Sequence, residues 1–79
     1  MLLDVVRVKP QSGYRLHLEF ENSEKRIFDV SPYLENGIFC QLKDPSVFYR
    51  AYIDGGTVAW PGEIDIAPET LYDDSVPEN

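Results

Sequence analysis

The run Tyr14-Arg15-Leu16-His17-Leu18-Glu19-Phe20-Glu21 alternates apolar and polar side chains without a break. Successive side chains of an extended chain point to opposite faces, so strict alternation predicts a strand with one face on a core and one in water. The face predicted to be buried carries Tyr14, Leu16, Leu18 and Phe20, and the solvent face carries Arg15, His17, Glu19 and Glu21.

Strand and turn signals flank this run on both sides. Residues 2–8 are rich in branched side chains, and residues 10–13 (PQSG) form a turn cluster before the run begins. Residues 22–25 (NSEK) reverse the chain into residues 26–30 (RIFDV). The first thirty residues therefore predict three antiparallel strands in a meander.

Helix signals follow the meander. Ser31-Pro32 and Asp44-Pro45 each place a capping residue before a proline, which is typical of a helix start. Gly37 offers a stop to the first helix, since glycine adopts the left-handed conformation that ends many helices. Two short helices are expected between residues 31 and 51.

The last third returns to strand patterns. Gly55-Gly56 separates the β-prone runs 52–54 and 57–60, which predicts a hairpin with a two-residue turn. Residues 64–66 (IDI) then lead into residues 68–72 (PETLY), which are expected to form one closing helical turn.

These elements predict an α+β fold in the order β-β-β-α-α-β-β plus a terminal helical turn. We expect an antiparallel sheet of about five strands with short helices packed on one face. A chain of 79 residues holds one domain at most, so residues 1–72 are expected to form a single α+β domain. Residues 73–79 are polar and terminal, and we expect this tail to fray.

The net charge of −7 belongs entirely to the end of the chain. Residues 1–50 hold seven basic and seven acidic side chains, whereas residues 51–79 hold seven acidic side chains and no Lys or Arg. Phosphate backbones and anionic lipid surfaces are bound through clustered cations, so we expect neither direct nucleic-acid binding nor membrane binding. An acidic surface keeps a small protein dispersed, or it complements a basic protein partner.

One cysteine and one histidine limit the available chemistry. A lone cysteine forms no disulfide within the chain, and together with one histidine it makes a structural zinc site improbable, so no metal and no cofactor is expected. The chain carries no signal-peptide pattern and no apolar run of about 18–20 residues, so we expect a cytoplasmic protein.

The chain resembles a bacterial family, the domain-of-unknown-function family 2442, over about residues 2–72. The resemblance rests on an ordered set of motifs: Leu16-His17-Leu18-Glu19-Phe20, Phe28-Asp29-Val30-Ser31-Pro32, Gly37-Ile38-Phe39, Trp60-Pro61 and Asp65-Ile66-Ala67-Pro68-Glu69-Thr70-Leu71-Tyr72. It implies a small α+β domain, found alone or ahead of a helix-turn-helix domain, in gene arrangements suggestive of toxin–antitoxin pairs. The chain ends at Asn79 without such an appended domain, so no DNA-binding role is carried over. The family provides no established catalytic or cofactor residues.

His17 and Cys40 are the pair of residue types that could act as base and nucleophile. His17 lies on the polar face of the clearest strand, however, and Cys40 is expected to fill a small buried position beside Leu42. Asp29 precedes the Ser31-Pro32 turn, where a carboxylate is expected to accept free backbone amides. Hence no catalytic residue is expected, although a buried acid awaiting a substrate is the alternative for Asp29.

Acidic residues near the end of the chain could be interpreted as ligands for a hard cation, namely Asp65, Glu69, Asp73 and Asp74. Their spacing matches no compact metal-binding loop and straddles Pro68. Asp65 and Glu69 are more simply explained as charges favoured near the N-terminus of a helical turn.

Ten aromatic residues are many for so small a core. Trp60 and Phe28 are expected inside, whereas some tyrosines are expected at the surface, where tyrosine is frequent in interfaces. The predicted interaction surface consists of Tyr33, Tyr49, Tyr52, Asp65 and Glu69.

Two hypotheses for function follow from the sequence. The preferred one is a non-catalytic protein-interaction module, acting by self-association or as the partner of a small basic protein, with an antitoxin-like or regulatory role implied only by the family resemblance. The alternative is a small enzyme or ligand-binding domain that uses an acid such as Asp29 or Asp65.

Overall fold

The computed structural model describes residues 3–78 as two antiparallel sheets with short helical segments, which confirms the predicted α+β class. The strands lie in the order β1-β2-β3-β7 in a four-stranded large sheet and β4-β5-β6 in a three-stranded small sheet. The strands are β1 Val5–Gln11, β2 Arg15–Phe20, β3 Lys25–Asp29, β4 Tyr52–Asp54, β5 Thr57–Trp60, β6 Ile64–Ile66 and β7 Val76–Pro77.

The predicted meander forms three of the four strands of the large sheet, β1, β2 and β3. β2 pairs with β1 on one side and β3 on the other, both antiparallel, and a bulge between Val5 and Arg7 shifts the β1 register. Its alternation is confirmed, since the buried face carries Leu16, Leu18 and Phe20, each at most 2% exposed.

The strands divide between two sheets because the chain leaves the large sheet after β3. It passes through a 3₁₀ helix at Ser31–Tyr33, a second at Gly37–Lys43 and helix α1 at Pro45–Phe48 before β4 begins. The small sheet shares one core with the large sheet, to which it contributes Val58, Trp60, Ile64 and Ile66. At one corner the Val5 backbone N–H also donates a 2.8 Å hydrogen bond to the Gly56 carbonyl oxygen.

The two predicted helix starts have different outcomes. Asp44 caps α1 as expected, because its carboxylate accepts a 3.0 Å hydrogen bond from the Ser46 N–H. Ser31 does not cap a helix, since the preceding Val30 occupies the cap position of a single 3₁₀ turn. Gly37 begins the second 3₁₀ helix rather than ending the first helix, with φ at +50°.

The core lies between the buried face of the large sheet, the small sheet and α1. Trp60 is fully buried, stacks on Phe48 with ring centroids 6.4 Å apart, and donates a 2.9 Å hydrogen bond from Nε1 to the Phe48 carbonyl oxygen. Leu42 and Leu71 add fully buried side chains from the second 3₁₀ helix and from helix α2, Pro68–Asp73. Burial of each such side chain contributes about 1.5–3 kcal/mol.

The chain after residue 72 differs from the frayed tail that the sequence led us to expect. Ser75 is 6% exposed, and β7 pairs antiparallel with β3. Arg26 contributes to this arrangement, because its Nε donates to Ser75 Oγ at 2.6 Å and its Nη2 to the Ser75 carbonyl at 2.8 Å. These bonds fold residues 75–78 onto the sheet edge.

Within residues 3–78, no helix combines the length and the apolar character that a membrane crossing requires.

Candidate interaction surfaces

The small sheet exposes one of its faces. Tyr52 of β4, Ala59 of β5 and Asp65 of β6 are direct cross-strand partners, so their side chains point to the same side. Asp54 lies on that side as well, two residues after Tyr52. We call these four residues the small-sheet outer face.

The small-sheet outer face is a shallow acidic surface with one aromatic side chain. Tyr52 is 46% exposed and both carboxylates are exposed, whereas Ala59 between them is only 4% exposed. The opposite side of the same strands belongs to the core. The exposed groups of this face are therefore the Tyr52 ring and the Asp54 and Asp65 carboxylates, which are available for contact with a partner.

The predicted Gly55-Gly56 hairpin builds this face and is confirmed. Both glycines have positive φ, +60° and +87°, the combination that a two-residue turn needs to match the twist of its strands. The turn aligns Asp54 with Thr57, and hence Tyr52 with Ala59.

The other three residues of the predicted surface lie in different elements. Tyr33 is half-buried between Phe28 and Phe39, with ring centroids 5.6 and 5.7 Å away, and its hydroxyl donates to Asp74 at 3.2 Å. Burial and the Asp74 carboxylate together raise the pKa of Tyr33. Glu69 is exposed in the first turn of α2.

Tyr49 borders a small aromatic depression of about 160 Å³ at the β1–β2 turn. Its walls include Tyr14, Phe48 and Pro45, and Tyr49 itself is 49% exposed. Tyr14 holds a positive φ of +61° there, and its hydroxyl donates to the Lys43 carbonyl oxygen. Of the predicted surface, therefore, only Tyr52 and Asp65 share a face.

His17 and Cys40 lie in separate elements with different neighbours. His17 projects from the solvent face of β2, and its Nδ1 lies 3.1 Å from Glu78 Oε2. Cys40 is exposed, so the expectation of a buried cysteine is wrong. A 3₁₀ helix has three residues per turn, so Phe39 and Leu42 face the core and Cys40 between them faces outward.

Asp29 holds the chain reversal after β3, as expected. Its Oδ1 accepts a 2.9 Å hydrogen bond from the Ser31 backbone N–H, and the carboxylate is exposed. Within residues 3–78, no three His, Cys, Asp or Glu side chains are grouped in a way that could hold a metal ion.

A cluster that the sequence analysis missed surrounds Arg26. The guanidinium carbon lies 4.4 Å from the centre of the Tyr72 ring, and Nη1 donates to Glu24 Oε2 at 3.1 Å. The Tyr72 hydroxyl donates to Glu24 Oε1 at 2.7 Å. A signal was available in the sequence, because alternation puts Arg26 on the same face as Phe28, and a charge on a buried face needs partners.

The hydrogen bonds of this cluster change two ionisation equilibria. The bond from Tyr72 lowers the pKa of Glu24, and bonds from Asn22 and Arg26 act in the same direction. The same Glu24 carboxylate raises the pKa of Tyr72. The cluster connects β3 to α2 and to the start of β7. We therefore interpret its role as structural.

Comparison with known proteins identifies one family. A family model described as "Protein of unknown function (DUF2442)" matches residues 5–77, nearly the whole chain. No curated protein and no solved structure matches the chain. The chain belongs to the DUF2442 family, as the motifs in its sequence predicted.

Proposed function

For this member of the DUF2442 family, we propose a non-catalytic role as a protein-interaction module that binds a basic segment of another protein. The observation that carries the proposal is the small-sheet outer face, where Tyr52 and Asp65 flank the small side chain of Ala59. Tyrosine at such a position provides a large contact area at low entropic cost, and the carboxylates favour lysine and arginine.

The charge distribution supports a basic partner. Residues 51–79 contain seven acidic side chains and no Lys or Arg, and this segment builds the whole small sheet. A basic partner would be steered toward this side of the molecule, since complementary charge raises association rates.

The surroundings of the two acids in the alternative enzyme hypothesis support a non-catalytic role. Asp29, the acid of the alternative enzyme hypothesis, is engaged in holding a turn. Asp65, the second acid of that hypothesis, stands on the open small-sheet outer face. Separately, we propose a cytoplasmic location for the protein.

A peptide titration tests the proposed surface. The probe is a short synthetic peptide in which lysine and arginine alternate with valine. Its binding is followed by NMR, through changes in the backbone amide chemical shifts of the isotope-labelled protein. We expect shifts concentrated in β4, β5 and β6. The double variant Asp54→Asn with Asp65→Asn should weaken binding about tenfold, since it removes both carboxylates of the face.

The matched control removes two charges elsewhere. Glu69→Gln with Asp73→Asn, both on α2, should change the affinity by less than about twofold. An equal loss in both double variants would mean that the peptide senses only net charge, and a peptide that does not bind would also refute the proposal.

The family resemblance suggests the source of the natural partner. Its implied toxin–antitoxin arrangement leads us to propose that the basic partner is encoded beside this gene. Co-expression of the two genes, with a tag on one product, tests this antitoxin-like role, and a neighbouring product that does not co-purify would contradict it.

A further inference from the structure

The large sheet is covered by the core on one face only. Its other face, the large-sheet outer face, carries the solvent-directed side chains of all four strands. Cross-strand pairing arranges them in three rows: Arg7, Glu19, Lys25 and Glu78; then Lys9, His17, Ile27 and Val76; then Gln11, Arg15 and Asp29.

The first row alternates in charge across the sheet. Arg7 of β1 lies 3.5 Å from Glu19 of β2 between Nε and Oε1, Glu19 is the cross-strand partner of Lys25, and the Glu78 N–H donates to the Lys25 carbonyl. We call these four residues the charge ladder. With strands about 4.8 Å apart, the charge ladder is about 14 Å long.

The large-sheet outer face differs in charge from the rest of the molecule. It carries four Lys and Arg side chains against three carboxylates, whereas the remainder carries three against eleven. A second copy of this acidic protein therefore meets the least repulsion when it approaches this face.

The charge ladder carries alternating positive and negative side chains. When a second ladder lies against it in the opposite direction, each charge faces one of opposite sign. We propose that two copies of this chain associate through their large-sheet outer faces, about a two-fold axis that is parallel to the strands and lies between β2 and β3. Under that rotation, Glu19 faces the second copy's Lys25, and Arg7 faces its Glu78, whose carboxylate also lies 3.1 Å from His17 Nδ1 within its own chain. A two-fold interface repeats every pair, so these two contacts occur twice.

The other rows agree with the same axis. In the third row Arg15 faces the second copy's Asp29, which adds a third pair of opposite charges. In the middle row Val76, 58% exposed, faces the second copy's Lys9 stem, and half-buried Ile27 faces its His17 ring. No row opposes like charges. Sheets pack about 30° from parallel, and long Arg, Lys and Glu side chains can span the resulting offset.

The size of the face predicts a weak dimer. Four strands about 4.8 Å apart and about five residues long present roughly 320 Å² in projection. A standard interface buries about 800 Å² per partner, so we expect a dimer that forms only at high protein concentration. Because ion pairs dominate the contact, the dimer should dissociate in high salt.

Charge reversal in two separate variants tests the axis directly. In the Glu19→Lys variant, a lysine at position 19 faces Lys25 of the second copy. In the Lys25→Glu variant, a glutamate at position 25 faces Glu19 of the second copy. Like charges then meet in both cases, so each variant alone should be monomeric. Mixed in equal amounts, the two variants restore both complementary contacts and should form a mixed dimer. Sedimentation velocity up to about 1 mM protein, at ionic strengths of about 0.02 and 0.5 M, measures these states.

The controls separate association from folding. Both variants change the Glu19–Lys25 pair within each chain, but mixing cannot repair an intramolecular defect, so recovery on mixing reports the interface. Arg50→Glu, an equal charge change outside this face, should leave the wild-type dimer intact. A wild-type chain that stays monomeric at about 1 mM in low salt, or folded variants that do not associate on mixing, would overturn the proposal.

Discussion

At the scale of single residues, the position of Arg26 determines several contacts of the fold. Strand alternation puts it on the buried side of β3, where its side chain is 14% exposed. Its guanidinium therefore meets the Tyr72 ring, Glu24 and Ser75 instead of water. The result is that a charged residue fastens the end of the chain to the sheet.

Glu24 in this cluster predicts an acid-dependent loss of stability. The Tyr72 hydrogen bond lowers the pKa of Glu24 in the folded protein. Its contribution to the free energy of unfolding is therefore present above the ordinary pKa of glutamate, and is lost as the pH falls through the lowered folded pKa. Glu24→Gln should flatten the decrease in melting temperature between about pH 5 and pH 3, followed by circular dichroism.

Glu63→Gln is the control for this measurement, because Glu63 is exposed in the turn between β5 and β6 and contacts no member of the Arg26 cluster. It should reproduce the wild-type pH dependence. If Glu24→Gln also retains the wild-type slope, the hydrogen bond from Tyr72 does not stabilise the ionised carboxylate in solution.

At the scale of elements, the β4–β5 turn connects the two sheets. Gly56 accepts the backbone hydrogen bond from Val5, which begins the large sheet. A Cβ on Gly56 would lie 2.5 Å from Asp4 Cγ, so the exposed Asp4 side chain would have to move to accept it. The neighbouring Gly55 has open space around its Cβ position.

The two glycines predict unequal costs for the same substitution. In Gly55→Ala the added methyl group meets open space, so the one cost is the left-handed backbone conformation. This lowers the free energy of unfolding by about 1 kcal/mol. Gly56→Ala adds the overlap with Asp4, and we expect a total of about 2–3 kcal/mol. Urea unfolding followed by the fluorescence of Trp60 measures both, and equal costs would show that the sheet corner yields to the added methyl group.

At the scale of the whole molecule, the two proposed surfaces are built on different sheets. The small-sheet outer face is acidic, whereas the large-sheet outer face has slightly more cations than carboxylates. Because the two proposed surfaces do not overlap, we expect binding of a basic segment and of a second copy to be compatible.

Separate surfaces predict separable defects. Lys25→Glu should abolish self-association and leave binding of the basic peptide unchanged within about twofold. Conversely, Asp54→Asn with Asp65→Asn should weaken peptide binding and leave the dimer intact. Sedimentation and peptide titration on each variant check both halves, and a variant that loses both activities while folded would contradict independent surfaces.

Local patterns in the sequence determined much of this protein. The predicted alternation of residues 14–21 is confirmed over β2, residues 15–20, whereas Tyr14 lies in the preceding turn with φ at +61°. The Gly55-Gly56 turn and the Asp44-Pro45 helix start also depend on neighbours in the chain, and both are confirmed. Such features are set by side-chain periodicity and backbone conformation within a few residues. Family membership rested instead on the resemblance of sequence motifs, and the family model that matches residues 5–77 confirms it.

Only the tertiary structure decided which distant residues meet. The division of the strands into two sheets, the exposure of Cys40 and the attachment of Ser75 to Arg26 all depend on contacts between residues far apart in sequence. The shared face of Tyr52 and Asp65 likewise requires both to pair with Ala59. Periodicity states which side of a strand is buried, but strand order and register are fixed by packing over the whole core.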